Sequence, residues 1–346
     1  MQRICATLTE HGYDVTLVGR KLKSSGEPSF TFKTKRLNCW FNKGKAFYVE
    51  LNLRLFFYLL VTKFDAACAV DLDTALPVWA STMLKAKVFA FDAHEYFQEV
   101  PEVINRKRVK HFWERVAKFI IPKTDFRYTV SSGLASQFRA LYGVAFSVVR
   151  NLPKYEKHNS KANNSLFILY QGALNKGRGL EALIKAAPYL PIPVKIAGEG
   201  DLSAELRALA NKLNLNDKVE FLGYLKPAEL RSLTPTAFLG YNLLENSGLS
   251  YYYSLANKFF DYTMAGVPGL VPPFPEYELL NEKYAIGITT DLNENEIIST
   301  VKDLVADKER YQRLVDNALE AAKDLNWENE QKVLLDLYSQ HLPSVS

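Results

Sequence analysis

The sequence predicts an α/β protein made of two doubly wound units, and three observations carry that reading. Short apolar runs alternate with longer stretches of helical periodicity along most of the chain. The alternation starts afresh at residue 166, after a polar linker over residues 151–164. Several of the apolar runs end in small or glycine-bearing loops that feed helices. A length of 346 residues is long for one domain, and two is the expected number. The predicted division is 1–150, 165–322 and a terminal helical segment over 323–346.

In chain order, residues 1–12 read as the later part of a helix and 13–18 as a strand. No strand with a glycine-bearing loop stands before that helix, so the first unit is expected to lack its first strand. Residues 31–45, basic and Gly-containing, read as a loop. A helix rich in aromatics follows over 46–62, then a buried strand over 64–70. Asp71 and Asp73 end that strand. An Asp-x-Asp pair can hold a divalent metal, but metal ligation needs more oxygens than one pair supplies, and Asp73 can equally cap the next helix. Residues 88–91 form the next strand. Asp92 to Glu102 (DAHEYFQEVPE) leaves its end, which makes His94 and Glu95 candidate acid–base or acceptor-positioning groups. A loop histidine beside acids can also be purely structural.

Residues 105–123 (NRKRVKHFWERVAKFIIPK) form a basic amphipathic helix. It suits an anionic membrane, or a surface helix packing Phe112, Trp113, Val116 and Phe119 inward. Strands over 126–130 and 146–149 complete this half, with a helix from Ser131 and Ser132 between them.

The second half opens with a strand over 166–170 and the loop QGALNKGRG. Gly172, Gly177 and Gly179 let backbone approach a ligand, and Lys176 and Arg178 precede a helix N-terminus, where anions are favoured. Strands follow over 194–197, ending in Gly198-Glu199-Gly200, and over 219–222. A buried run over 237–244 then gives way to a polar loop containing Glu245, and a helix follows over 255–265, closed by Gly266 and Pro268. In an open parallel sheet a loop between a strand end and a helix N-terminus is where ligands bind. Lys258, in the first turn of that helix, adds a positive charge. Downstream, a short strand, helices interrupted at Pro275, a strand over 285–288, two helices over 294–322 and an amphipathic helix over 327–340 complete the chain.

The stretch ENSGLS followed by NKFFDYTMAGVP resembles the nucleotide-sugar site of retaining GT-B glycosyltransferases of the family-4 type, also called group 1. The resemblance implies two Rossmann-like domains facing across a cleft, with the last helix crossing back to the first domain. It implies that Asp261 holds the donor ribose and that Glu245 contacts the sugar. In that family seven residues separate the two acids; here fifteen do, so SYYYSLAN reads as an insertion or the sugar-contacting acid is displaced. The DAHE segment is similar to the family's Asp-x-His-Glu piece, which puts His94 near the reacting sugar. The resemblance gives catalytic roles to His94 and Glu245, and donor-binding roles to Gly172, Lys176, Arg178, Gly198, Glu199, Asn257, Lys258 and Asp261. Which of Lys176 and Arg178 bonds phosphate stays open.

The resemblance further implies transfer of a sugar from a nucleoside diphosphate sugar to a hydroxyl of a glycan or lipid-linked acceptor, as in polysaccharide biosynthesis. Neither metal nor cofactor is required, since basic side chains and helix dipoles stabilise the leaving diphosphate. Two rivals remain: a nucleotide-sugar epimerase on the same fold, and a nucleotide-binding accessory protein without transferase activity. A Rossmann dehydrogenase is disfavoured, because no G-x-G-x-x-G turn follows a first strand.

Charge and composition narrow the setting. Residues 1–150 carry a formal charge of +10 and the remainder −5, within a total of +5. A basic first half suggests an anionic partner, either a membrane surface or a phosphorylated acceptor; no nucleic-acid motif is visible. Three cysteines without paired motif spacing fit a reducing, cytoplasmic setting, with the protein peripheral on the membrane's inner face. No signal-peptide pattern opens the chain, and the most apolar run, 53–61, is too short to span a bilayer.

Overall fold

The computed structural model describes residues 1–21, 30–158 and 166–342. They form two compact units, Met1–Arg150 with Glu330–Ser346, and Asn151–Asn329. Part of the polar linker, 159–164, lies outside the described residues, as does the expected start of the second domain at 165.

The first unit begins with α1 (Gln2–Glu10), which buries Ile4, Cys5, Thr7 and Leu8. Two parallel strands follow, β1 (Thr16–Arg20) and β2 (Lys33–Leu37), which among the described residues pair only with each other. β2 corrects the loop reading of residues 31–45. Its sequence KTKRL is mostly exposed and only Leu37 is buried, so it shows no alternation to read. After α2 (Gly44–Val61) comes a four-stranded parallel sheet in the order β3-β4-β5-β6: β3 (Ala66–Val70), β4 (Val88–Ala93), β5 (Phe126–Thr129) and β6 (Ser147–Val148). Its crossovers contain α3 (Ala75–Lys85), α4 (Pro101–Ile104), α5 (Lys107–Ile120) and α6 (Ser132–Tyr142). Ser131 caps α6, its hydroxyl accepting the Leu134 N–H at 3.3 Å. α5 turns Val116, Ala117 and Ile120 inward, whereas Phe112 and Phe119 are exposed. The packing expected of α5 therefore holds for Val116 and not for those two rings.

The second unit is one six-stranded parallel sheet, ordered β12-β11-β10-β7-β8-β9. Its strands are β7 (Ile168–Gln171), β8 (Val194–Ala197), β9 (Val219–Gly223), β10 (Leu239–Tyr241), β11 (Gly269–Val271) and β12 (Gly287–Thr289). The intervening helices are α7 (Leu180–Ala186), α8 (Ser203–Lys212), α9 (Pro227–Leu233), α10 (Leu249–Tyr252), α11 (Asn257–Met264) and α12 (Pro275–Tyr284). α13 (Glu294–Ala306) and α14 (Lys308–Ala321) follow, and α15 (Trp327–His341) begins in this unit and belongs to the first from Glu330 on. Pro275 begins α12 rather than breaking it, since a first-turn proline loses no helical hydrogen bond. The core is aliphatic, with Ile168, Val194, Ile196, Leu239 and Leu270 fully buried on the central strands.

The order of this sheet fixes the site. The chain starts at β7, winds outward through β8 and β9, then returns to β10 on the other side of β7 and winds out through β11 and β12. The direction reverses between β7 and β10, and the C-terminal ends of those two strands form the topological switch point at which such sheets bind ligands. Gly240 on β10 lets α11 approach, because a Cβ there would come within 2.2 Å of the Tyr262 ring.

Candidate active site

The β7 end and the N-terminus of α11 converge on Lys258. β7 leads through Gln171 to Gly172, which has φ +133°. A Cβ at Gly172 would lie 3.5 Å from Lys258 Cε and 3.7 Å from its Nζ, so the glycine leaves backbone open beside the ammonium group. Lys258 Nζ sits 3.9 Å from the centre of the Tyr170 ring, a cation–π contact. The side chain is buried. Burial, and then the neighbouring Arg178 guanidinium, hold its pKa well below the ordinary lysine value against the opposing pull of Asp261. Two cations thus converge on one desolvated corner at a helix N-terminus, an arrangement that a bound dianion would relieve.

Asp261 lies one turn further along α11. Gln171 Nε2 donates to its Oδ2 at 3.1 Å, while Gln171 Oε1 accepts the Thr234 hydroxyl at 2.7 Å. This relay fixes the carboxylate at the end of β7. Gly198 stacks under the same loop: with φ +147°, a Cβ there would overlap the Gly172 carbonyl oxygen at 1.8 Å. Gly172, Gly198, Arg178, Lys258 and Asp261 are therefore brought together.

The other predicted residues are placed differently. Glu199 is exposed and pairs with Arg207 at 2.8 Å on α8, with its pKa lowered by Ser203 and Arg207. Asn257 opens α11 and its Oδ1 accepts from Asn151 Nδ2 at 3.0 Å. The Lys176 side chain is exposed, while its backbone oxygen accepts the Tyr251 hydroxyl at 3.3 Å. The Glu245 N–H donates to the Gly177 oxygen at 3.0 Å, which ties the start of the β10 loop to the basic loop after β7. The extra residues between Glu245 and Asp261 contain α10, whose Tyr251 lies against that basic loop with the Arg178 guanidinium 5.1 Å from its ring centre. Sequence reasoning missed Tyr170, Gln171 and Tyr251. The signal for the first two was present, since a Tyr-Gln pair ending an otherwise apolar strand is out of place in a core.

In the first unit the ends of β3 and β4 build a second cluster. His94 Nε2 lies 3.1 Å from Asp92 Oδ2, and Asp92 is buried. Asp71 Oδ1 accepts the His94 backbone N–H at 2.9 Å. Asp71 has φ +55°, a conformation that non-glycine residues rarely adopt. Burial raises its pKa to about 7, with His94 opposing and Glu95 and Asp92 adding to the rise. Burial disfavours charge on His94 too, yet its bond to Asp92 and the charges of Asp92 and Asp71 raise its pKa overall. The cluster therefore favours an imidazolium, a hydrogen-bond donor, at residue 94. The Asp73 carboxylate draws on the backbone N–H groups of Asp73 and Thr74. Among the described residues no three His, Cys, Asp or Glu side chains are grouped as a metal site.

In a doubly wound parallel sheet, basic side chains gathered at a helix N-terminus beside the switch point are an arrangement that favours anionic ligands. Residues 153–241 match the family described as glycosyl transferases group 1. The chain is 33% identical over 138 residues to the N-acetylgalactosamine-N,N'-diacetylbacillosaminyl-diphospho-undecaprenol 4-alpha-N-acetylgalactosaminyltransferase of Campylobacter jejuni subsp. jejuni serotype O:2. That match spans 36% of this chain and 37% of the Campylobacter protein. Among solved structures, the sucrose-phosphate synthase of Thermosynechococcus elongatus superposes with a TM-score of 0.79 at 17% identity, covering 98% of this chain and 91% of that one. Anabaena HepE in complex with UDP and glucose gives 0.72 at 15%, over 89% and 86%. The fold is that of GT-B glycosyltransferases.

Proposed function

We propose that the protein is an enzyme that transfers a glycosyl group from a nucleoside diphosphate sugar to a hydroxyl of a glycan or lipid-linked acceptor, with retention at the anomeric carbon. The observation that carries this reading is Lys258, a buried ammonium beside Arg178 at a helix N-terminus, open to ligand through Gly172. Such a corner matches the charge that develops on a departing diphosphate. As the bond from the anomeric carbon to the diphosphate oxygen breaks, Lys258, Arg178 and the α11 N–H groups stabilise the leaving oxygens without reorganisation. The acceptor oxygen then bonds the anomeric carbon, and its proton leaves with the diphosphate or to solvent. Asp261 is suited to a ribose hydroxyl pair, Glu245 to the sugar, and His94, as a donor, to orienting a reacting hydroxyl. This chemistry uses no metal or cofactor.

The fold neighbours support the donor class: HepE structures hold UDP, UDP with glucose, and UDP-glucose. The name of the Campylobacter relative supports a lipid-linked acceptor. Among the described residues no helix is long and apolar enough to cross a membrane, and we place the basic first unit at an anionic membrane surface, peripherally. The test is titration calorimetry with nucleoside diphosphates, their monophosphates and nucleotide sugars, on the wild type and Lys258→Met. Preference for a diphosphate, lost in the variant, supports the reading; equal binding of the monophosphate sinks it. Product analysis without acceptor separates transfer from epimerisation, a relevant rival because a putative UDP-N-acetylglucosamine 2-epimerase from Listeria monocytogenes shares the fold at a TM-score of 0.58.

A further inference from the structure

α2 carries an apolar stripe that faces solvent. Val49, Leu53, Phe57 and Val61 stand four residues apart, so they lie on one helix face. Their exposures are 60, 53, 62 and 84%. The opposite face holds Leu55 and Leu59, both buried, so the helix is anchored by one apolar face while it presents another. Scattered exposed apolar residues need no explanation, but four in register on one helix do.

The turn before the helix adds to the stripe by construction. Trp40 is 83% exposed and Phe41 beside it is also exposed. This aromatic pair is held in place. Glu50, the seventh residue of α2, accepts the Trp40 N–H at 2.9 Å and the Phe41 N–H at 3.0 Å, and it binds Arg54 Nε at 2.7 Å. The Arg54 guanidinium in turn lies 4.7 Å from the centre of the Trp40 ring. A carboxylate and a guanidinium thus fix a tryptophan that remains in water.

The charge around the stripe selects the occupant. Residues 31–63 contain seven Lys and Arg and one acid, Glu50, whose charge Arg54 already meets. A second copy of the chain would set two such basic surfaces against each other. An anionic bilayer complements the charge, takes an apolar stripe into its acyl boundary and suits a tryptophan at headgroup depth.

We propose that Trp40 and the Val49–Leu53–Phe57–Val61 face of α2 form a membrane-docking surface that inserts into the interface of an anionic bilayer. This deepens, and rests on, the reading that the first unit works at such a surface. It is a surface separate from α5, whose basic face carries the exposed Phe112 and Phe119.

The experiment is flotation of the full chain with vesicles of phosphatidylglycerol and phosphatidylcholine in equal parts, or of phosphatidylcholine alone, at low and high salt. The wild type should float with the anionic vesicles, keep part of its binding at high salt, and show a blue shift of tryptophan emission that Trp40→Phe reduces. Phe57→Gln and Trp40→Ala should each lower the partition coefficient by about tenfold or more, since one large apolar side chain left in water changes partitioning by that order. Both positions are exposed, so the melting temperature should stay put. Wild-type protein that floats while both variants float equally well overturns this proposal and leaves α5 as the contact. Wild-type protein that never floats overturns both the proposal and the membrane reading, and light scattering then shows whether α2 pairs two copies. Nucleotide binding by the second unit is untouched by either failure, which keeps the glycosyl-transfer reading separate.

Discussion

The Tyr251 ring occupies the space that a side chain at Gly177 would need: a Cβ built there would lie 2.5 Å from Tyr251 Cε2. Gly177 also has φ +85°. The relationship explains what the residues between Glu245 and Asp261 do. They bring an aromatic ring down on the basic loop, where its hydroxyl bonds the Lys176 oxygen and its face meets Arg178.

Tyr251→Ala should therefore weaken nucleoside diphosphate binding by freeing Arg178, at a cost of about 0.5–1 kcal/mol for the lost cation–π contact. Tyr251→Phe keeps the ring and should bind nearly as the wild type does. Calorimetry on the three proteins decides it. Loss in Tyr251→Phe equal to that in Tyr251→Ala would assign the role to the hydroxyl instead.

Lys258→Met should part stability from function. The wild-type lysine binds fewer protons in the native than in the unfolded state, because its native pKa is depressed. Stability therefore rises with pH between the native pKa and the ordinary value of 10.5, and falls as acid forces charge onto the buried group. Methionine fills the volume without that charge. The variant should gain on the order of 1 kcal/mol or more in the absence of ligand and lose this pH slope. Diphosphate affinity should fall by about 1.5–3 kcal/mol, as for a hydrogen bond to a charged group.

Much of the architecture was legible because its signals are local. Buried parallel strands such as Ile168–Gln171 and Val194–Ala197 are mostly apolar, and Gly172, Gly198 and Gly266 punctuate the pattern. β2 was not legible, since an exposed strand such as KTKRL owes its form to the partner it pairs with, β1, and not to its own pattern. The anion corner was half legible. Lys258 and Asp261 stand out on a helix after a loop, but Tyr170 and Gln171 reach them from residues some ninety positions earlier, a proximity that only the sheet order creates. Glu199 shows the converse: its loop reads as a ligand turn, yet its carboxylate points to Arg207 within its own neighbourhood.

Gly198→Ala tests the close approach of the two loops. The added methyl carbon would sit 1.8 Å from a backbone oxygen, and backbone cannot swing aside as a side chain can. The variant should be destabilised by about 1–3 kcal/mol, the range for backbone strain, and should lose nucleotide affinity as the Gly172 loop is displaced. Denaturant titration and calorimetry together check it; wild-type stability with normal binding would show that the loops have slack.

The last prediction concerns Asp71 and His94. Asp71 rises from 3.8 to about 7 on folding, so the native state holds more protons than the unfolded state between those values. Its contribution to stability is complete below the lower value and is lost as pH rises through the upper one. His94, also raised, acts in the same direction: its contribution is present in acid and is lost as pH rises through its native pKa. Asp71→Asn retains an oxygen for the His94 N–H and removes the titration. Its melting temperature should depend less on pH than that of the wild type between 3.8 and about 7. Losing the Asp71 charge should also lower the pKa of His94, since that charge is among the causes of its rise. If His94 acts as a donor, the alkaline limb of the turnover profile should move to lower pH in Asp71→Asn. His94→Ala should lower turnover while leaving nucleotide affinity in place, because the histidine belongs to the first unit and the anion corner to the second. A turnover profile unmoved by Asp71→Asn, with His94→Ala still inactive, would leave His94 in the reaction but remove proton holding from its role. Normal turnover in His94→Ala would reduce the whole cluster to a structural tie between the ends of β3 and β4.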